Sequence, residues 1–478
     1  MFNLIIIMIS SLFLEQVKKN FPFIPTPEQQ VTLEKISNFL FERNNESLFL
    51  LKGYAGTGKS SLIGAIVKTM NVLKQKSVLL APTGRAAKVF ALYAEQNAYT
   101  IHKKIYRQKA FSNEPSNFTQ TNNLHKHTLF IVDEASMISN DTTDSFNFGS
   151  GHLLDDLIHY VYSGEGCRLI LLGDSAQLPP VSQSESPALD INILQGYGLN
   201  VSTVTLTQVV RQAELSGILM NATHLRKAIG AGKVNVFPKI IIKGYSDIEI
   251  VKGNEIIEAI EQVYSRDGME DTAIISRSNH GANLFNTGIR NQILWREEEI
   301  SSGEMLMVVK NNYYWAENIS NMDFIANGDL MQIKRIRKKQ NIYGFNFCDI
   351  TAYFPDYEIE IDLKIIMETL HTNTSGLTKE NMNQLFYNIL EDYEDIPLQR
   401  EKMKKMKTDP FYNAVQIKYA YAITGHKAQG GQWKNVFLDV SYIPQEYLGI
   451  DFYRWLYTAF TRATEKIYLI NPVKELIT

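Results

Sequence analysis

Short apolar runs, each closed by glycine or polar residues, set the rhythm of the first half of the chain. SLFLLK (47–52), SVLLAP (77–82), TLFIVDEAS (128–136) and RLILLGDSAQ (168–177) all follow this pattern. Runs apolar on both sides predict strands buried on both faces, that is, a parallel sheet covered by helices. Between the first two runs, Leu62, Ile63, Ile66, Val67, Met70 and Leu73 recur at helical spacing. The polar clusters fall at the carboxyl ends of the predicted strands, where open α/β sheets take their ligands.

The pattern returns later. TAIISRSN (272–279), AVQIKYAYAITG (414–425), NVFLDV (435–440) and KIYLI (466–470) alternate with helical stretches at 281–295 and 451–463. A second parallel-sheet α/β domain is expected. From 299 to 410 the period changes to alternating β-like runs, with Asn327-Gly328-Asp329 as a turn signal. A small β-barrel inserted into the second domain is expected there, with a helix and a loop over 377–410. Residues 103–127 are irregular and lie between two strands of the first sheet. The expected organisation is therefore an apolar segment (1–22), a first domain (23–205) with an insertion at 103–127, a second domain in two parts (206–298 and 411–478), and the barrel (299–410).

The first fourteen residues, MFNLIIIMISSLFL, are apolar. No Lys or Arg precedes them, no small-residue cleavage site follows, and a spanning helix needs about 20 residues. A buried amphipathic segment, or a start over-extended ahead of Met8, is expected rather than a signal or an anchor. The 478 residues suit two to four domains. A net charge of −3 leaves any nucleic-acid surface to a local groove. Two cysteines, Cys167 and Cys348, form no metal-ligand spacing, which argues against a zinc site or a disulfide framework and fits a cytoplasmic protein.

The chemistry starts at Gly53-Tyr54-Ala55-Gly56-Thr57-Gly58-Lys59-Ser60. This is a full phosphate-binding loop between a strand and a helix. Gly53, Gly56, Thr57 and Gly58 let backbone N–H groups surround phosphates, Lys59 supplies charge to the β- and γ-phosphates, and Ser60 can ligate Mg²⁺. Asp133-Glu134 closes a strand: Asp133 suits the Mg²⁺ shell and Glu134 the attacking water. Gln177, in GDSAQLPP, could contact a γ-phosphate or that water; alone, the segment is an ordinary Gly/Pro turn. Arginines that reach across a cleft stabilise phosphoryl transfer, but composition does not single out Arg211 and Arg462.

In order, GYAGTGKS, APTGRAAK, TIH (100–102), IVDEAS, GDSAQLPPV, VVRQ (209–212), YAITGHKAQGGQW (421–433) and YTAFTRATEKIYLI (457–470) resemble the motif series of superfamily 1 helicases. The resemblance spans about 25–470 and is strongest to the RecD-like branch, that of the phage Dda helicase, whose members are P-loop ATPases of the AAA type. It implies two RecA-like domains, a pin insertion at 103–127 and an SH3-like barrel. It also implies ATP and Mg²⁺ as cofactors, with single-stranded and forked DNA as partners. Gln29, or its neighbour Gln30, would read the adenine edge. Pro82, Thr83, His102, His426 and Lys427 would touch the single strand. Arg211 and Arg462 would be the two fingers, and Gln429 with Gly430 would couple the nucleotide to DNA grip.

Within the pin, Phe111 or Phe118 would stack on a base; plain packing is the alternative. KRIRKK (334–339) and REKMKKMK (400–407) are expected to be solvated faces rather than DNA contacts. The implied activity is ATP-dependent 5′→3′ translocation and duplex unwinding by a monomer, serving replication, repair or recombination beside single-strand-binding or replication proteins. An RNA-directed helicase, an ATP-switched clamp or sensor, and a P-loop small-molecule kinase are the rivals.

Overall fold

The computed structural model describes residues 2–478 except 43, 45, 109–117, 142–148, 210–215, 318, 320, 321, 323 and 375; the side chains of 2–7, 108 and 118 are also outside it. Among these residues the chain builds two parallel sheets and a closed barrel.

The chain opens with α1 (Phe2–Asn20) and α2 (Pro27–Phe41), then β1 (Ser47–Gly53), α3 (Lys59–Val72), β2 (Lys76–Ala81), α4 (Gly84–Ala94) and β3 (Ala98–Thr100). A short α5 (Ile101–Ile105) leads into a ribbon of β4 (Tyr106–Gln108) and β5 (Phe118–Gln120), antiparallel with Tyr106 opposite Gln120. This ribbon lies within the stretch 103–127, of which 109–117 are outside the described residues. Then come β6 (Thr128–Val132), α6 (Leu153–Tyr162), β7 (Arg168–Gly173), α7 (Ile191–Gly196) and β8 (Asn200–Leu206). The first sheet is wholly parallel, in the order β3-β2-β6-β7-β1-β8.

The pleat divides its core in two. Leu48 and Leu50 face Leu154, Leu157 and Val161 of α6, whereas Phe49 and Leu51 face the layer of α1, α2 and α3. Phe13, Val17 and Phe21 belong to that second layer. The apolar N-terminal run is thus helical and docks at its end through Phe13, whereas Met8, Ile9 and Leu12 are exposed, and no described helix is long and apolar enough to cross a membrane.

The second domain holds α8 (Gly217–Gly230), β9 (Ile248–Val251), α9 (Ile256–Asp267), β10 (Thr272–Ser276) and α10 (Asn279–Gln292). The barrel follows, with β11 (Met305–Val308), β12 (Leu330–Ile342), β13 (Phe345–Phe354) and β14 (Ile359–Ile366). Next are α11 (Lys379–Glu391), α12 (Gln399–Lys407) and the closing strand β15 (Val415–Tyr419). The chain then returns to the sheet with β16 (Ala422–Thr424), α13 (Gly425–Ala428), β17 (Trp433–Asp439), α14 (Ile450–Phe460) and β18 (Ala463–Ile470). The second sheet runs β16-β10-β17-β18-β9, all parallel.

The 414–425 run, expected as one strand of the second sheet, is two strands. Its first part pairs with β11 and β14 to close the barrel, which therefore extends beyond residue 410. Its second part pairs with β10. Both parts are buried, so hydropathy alone shows no break. The stretch 377–410 carries two helices rather than one; Leu385, Ile389 and Met406 pack on Phe345, Phe347 and Ile366 of the barrel. Gly328, at φ 96°, makes the turn before β12.

Candidate active site and nucleic-acid interface

The phosphate loop leaves β1 at Gly53 and enters α3 at Lys59. Gly56 and Gly58 have φ of 74° and 82°, a region glycine enters without strain. A Cβ on Gly53 would lie 2.9 Å from two carbons of Lys59. The Lys59 ammonium donates to the carbonyls of Gly53 at 2.5 Å and Tyr54 at 3.0 Å, so it lies along the loop. No side chain caps the N-terminus of α3, leaving its first N–H groups to a ligand. Gln29 is buried. Its Oε1 accepts from the Thr26 N–H at 2.9 Å in a capping box, and its Nε2 donates to the Thr57 carbonyl at 2.9 Å. Gln29 thereby ties α2 to the loop. Gln30 instead donates to Glu34 within its own helix.

Asp133 and Glu134 stand at the end of β6, beside that loop. Asp133 accepts from the Glu134 N–H at 2.8 Å and from the hydroxyl of Tyr93, which also hydrogen-bonds with Ser60. Burial and the Asp133 carboxylate push the Tyr93 phenol well above its usual range, so it stays a proton donor. Glu134 sits at φ 52°, in the left-handed region that non-glycine residues seldom adopt. Burial raises its pKa; Arg462 is the largest opposing influence, and Asp133 adds to the rise. Among the described residues no cluster of three or more His, Cys, Asp or Glu side chains could hold a metal. One hydroxyl and one carboxylate fit Mg²⁺, which completes its shell from phosphate and water. Ser60 and Asp133 are such a pair.

Arg462 comes from the far domain, just after α14. It is 4% exposed, and its guanidinium reaches Glu134 at 3.8 Å. It is held by the Thr458 carbonyl at 3.2 Å, the Gly431 carbonyl at 3.3 Å and the Thr461 hydroxyl at 3.2 Å. The same helix grips the segment after β7. The Thr458 hydroxyl accepts from the Leu178 N–H at 3.0 Å, and Arg454 donates to the Ser184 carbonyl at 2.5 Å. Tyr457 donates to Asp174 at 2.6 Å and accepts from the Ala55 N–H at 2.9 Å. Gln429 donates to the Leu178 carbonyl at 2.7 Å. Gln177 is buried in this segment, and its Oε1 has no hydrogen-bond partner among the described residues. Arg211 lies outside the described residues.

The sequence-predicted nucleic-acid residues fall in two groups. Pro82 and Thr83 follow β2, and the Thr83 hydroxyl caps α4 through the Ala86 N–H at 3.2 Å. Facing them across the cleft is Gly430, at φ 71°; a Cβ there would come within 2.8 Å of Ala86 Cβ and 3.3 Å of Thr83 Oγ1. The structure thus brings Thr83 and Gly430 together. Arg85 lies over the Trp433 ring at 3.7 Å and donates to the Gln432 carbonyl at 3.3 Å. His426 and Lys427 lie on α13, beyond Thr424. Burial lowers Lys427 to about 8, with Lys418 nearby adding to the effect.

His102 lies on α5, and burial pulls it down to about 4. Burial therefore favours the uncharged imidazole, a group that can still donate or accept a hydrogen bond. Phe111 is outside the described residues; Phe118 pairs with Gln108 through its backbone, and its side chain is not described. The basic run 334–339 lies on β12, where Arg337 pairs with Asp362 and Lys339 with Glu298, both at 2.7 Å and half exposed. Tyr93, Tyr457, Thr458, Arg454 and Arg85 are site residues that sequence reasoning passed over. Tyr457 and Thr458 lay inside the quoted YTAFTRA segment, and their helical spacing from Arg454 was the available signal.

Residues 28–236 match the family described as AAA domain, and 419–470 match the UvrD-like helicase C-terminal domain. The chain is 23% identical to "Uncharacterized protein R530" of Acanthamoeba polyphaga mimivirus, over 92% of this chain and 98% of that one. It is 29% identical to the ATP-dependent RecD2 DNA helicase of Deinococcus radiodurans over 42% of this chain, a match that spans 25% of that longer relative. A crystal structure of a Pif1 helicase from Bacteroides, in complex with ADP-AlF3 and ssDNA, aligns with 95% of each chain at 16% identity and a TM-score of 0.46. The AAA match carries the phosphate loop with Asp133 and Glu134, the helicase C-terminal match carries the arginine that faces them, and together with the RecD2 relative they support a superfamily 1 helicase similar to the RecD kind.

Proposed function

We propose that this protein is an ATP-dependent DNA helicase that moves 5′→3′ on single-stranded DNA and splits the duplex ahead of it. The observation that carries the reading is the Arg462–Glu134 approach at 3.8 Å across the inter-domain cleft. A phosphate binder without motor action needs only the loop. A motor needs hydrolysis to depend on how two domains meet, and an arginine from the far domain provides that dependence.

In this reading, Lys59 and the backbone N–H groups of 56–60 hold the ATP phosphates. Bound Mg²⁺, held by Ser60 and Asp133, would neutralise charge on the β- and γ-oxygens. Glu134 accepts a proton from the attacking water, and Arg462 stabilises the charge on the transferred group. The buried, unpartnered Gln177 Oε1 is a suitable acceptor for that water. Arg211 is proposed as the second arginine on its motif alone. Gln29 supports the loop and the adenine side. Pro82, Thr83, His102, His426 and Lys427 line the path of the strand, with Gln429 and Gly430 linking it to the cleft. The β4–β5 ribbon is the pin, with Phe111 or Phe118 at the junction. Single-strand-binding or replication proteins, action as a monomer and a cytoplasmic setting belong to the same proposal.

Lys59→Ala and Glu134→Gln should each abolish DNA-stimulated ATP hydrolysis, by about 10²-fold or more. Persistence in both variants would overturn the active site. Unwinding of 5′-tailed against 3′-tailed DNA and RNA duplexes tests polarity and substrate together. Deleting 108–122 should spare translocation and reduce unwinding; equal loss of both would remove the pin role.

A further inference from the structure

Tyr457 is fully buried, and its ring lies in the core of the second domain. Its hydroxyl is engaged elsewhere, bonding two segments of the first domain at once. It accepts from the Ala55 N–H of the phosphate loop at 2.9 Å and donates to Asp174, after β7, at 2.6 Å. These partners are 402 and 283 residues away in the chain. Asp174 is itself buried, and its other oxygen accepts from the Ala176 N–H at 2.9 Å. Loss of the phenol oxygen would leave a partly buried amide and a buried carboxylate oxygen each short of a partner.

The link from Tyr457 to Arg462 is short and stiff. Thr461 donates its N–H to the Tyr457 carbonyl at 3.0 Å, and the Arg462 N–H goes to Ala459 at 3.2 Å. The guanidinium bonds back to the Thr458 carbonyl at 3.2 Å. Fixing Tyr457 therefore fixes the direction in which Arg462 leaves the helix. The 3.8 Å separation from Glu134 exceeds hydrogen-bond range, so a small rotation of α14 would open it.

We propose that Tyr457 is a positioning residue for the hydrolysis reaction. It locks the end of α14 to the phosphate loop and to Asp174 so that Arg462 faces the catalytic carboxylate. Its action runs through Arg462 and not through nucleotide affinity. This inference rests on the hydrolysis reading above.

The test is a double-mutant cycle on the full chain, with ATP hydrolysis measured on single-stranded DNA under single-turnover conditions. Tyr457→Phe keeps the ring and removes the oxygen. It should lower the maximal rate roughly 10-fold and leave the ATP concentration at half-maximal rate within about twofold. In an Arg462→Lys background the same change should cost less than about twofold, because the group it positions is already altered. Tyr453→Phe, whose hydroxyl donates to the Val236 carbonyl within the second domain, should match wild type. If Tyr457→Phe fails to fold, Asp174→Asn reads the same link and should show the same rate loss and the same dependence on Arg462. An unchanged rate, a purely affinity-based defect, or equal losses in both backgrounds would overturn the proposal. Absence of DNA-stimulated hydrolysis in the wild-type protein would instead overturn the function on which it rests.

Discussion

Gly430→Ala separates two costs that usually arrive together. The residue has φ 71°, where an added Cβ costs about 1–2 kcal/mol whatever the domains are doing. The new Cβ would also sit 2.8 Å from Ala86 Cβ and 3.3 Å from Thr83 Oγ1, across the cleft. Ala86 is buried on the first turn of α4, and neither contact is the free end of a long side chain. Relief has to come from parting the domains. Overpacking of this kind costs roughly 1–3 kcal/mol, and it is paid only in the closed arrangement. The backbone term should appear in the melting temperature, at about 2–4 °C per kcal/mol. The contact term should appear in the DNA-stimulated ATPase rate, as a drop of roughly 5- to 150-fold. Adding Ala86→Gly removes the atom in the way and should restore most of the rate, despite about 1 kcal/mol of helix propensity lost in α4. A Gly430→Ala protein with wild-type rate, or a double variant no faster than the single, would refute closure through this contact.

Three further outcomes are expected. Asp329 is buried and raised to about 7, chiefly by desolvation, so the folded chain binds a proton that the unfolded chain has released. Stability should therefore fall as pH rises from about 4 to 7 and level off above that, and Asp329→Asn should flatten this slope in denaturant titrations, by roughly 4 kcal/mol at most; an unchanged slope counts against it. Phe13→Ala empties a buried site against Phe41 and should cost about 3–5 kcal/mol, read as a lower melting temperature; no change would mean that α1 is not part of the first domain. Reversing Lys334, Arg335 and Lys338 to glutamate should leave the DNA concentration for half-maximal ATPase within roughly twofold, since exposed strand charges add little; a loss scaling with salt would make that strand a DNA surface.

Much of this architecture was legible because its signals are local. The loop at 53–60 and the pair at 133–134 announce themselves by spacing over a few residues, and the strands that carry them are apolar on both faces. The edge strands β3, β8 and β9 were not anticipated. β8 reads NVSTVTL and is only half buried, so it lacks the continuous apolar run of an inner strand. The joint at Ala420–Tyr421 was hidden for the opposite reason: apolar residues continue through it. Tyr93 and Tyr457 escaped notice because an aromatic residue on a helix suggests packing, and the partners of their hydroxyls lie 40 and 283 residues away. Gln29 shows a further limit. Its position beside the loop could be inferred, but the commitment of its amide to Thr26 and Thr57 could not.

The two-residue joint between β15 and β16 has a mechanical meaning. A barrel hung on flexible tethers could drift while the sheets moved. Here the chain passes from barrel wall to sheet edge with no slack, and Tyr421, in the joint, donates at 2.9 Å to Glu304, a buried carboxylate that Arg290 and Arg296 also clamp. Barrel and sheet share one hydrophobic core across this seam. The second domain and its barrel are therefore joined without slack along this seam. Lys88 of α4 meets Asp356, in the β13–β14 turn of the barrel, at 3.2 Å, so the first domain also touches the barrel directly and any change in the angle between the domains must strain or break that ion pair.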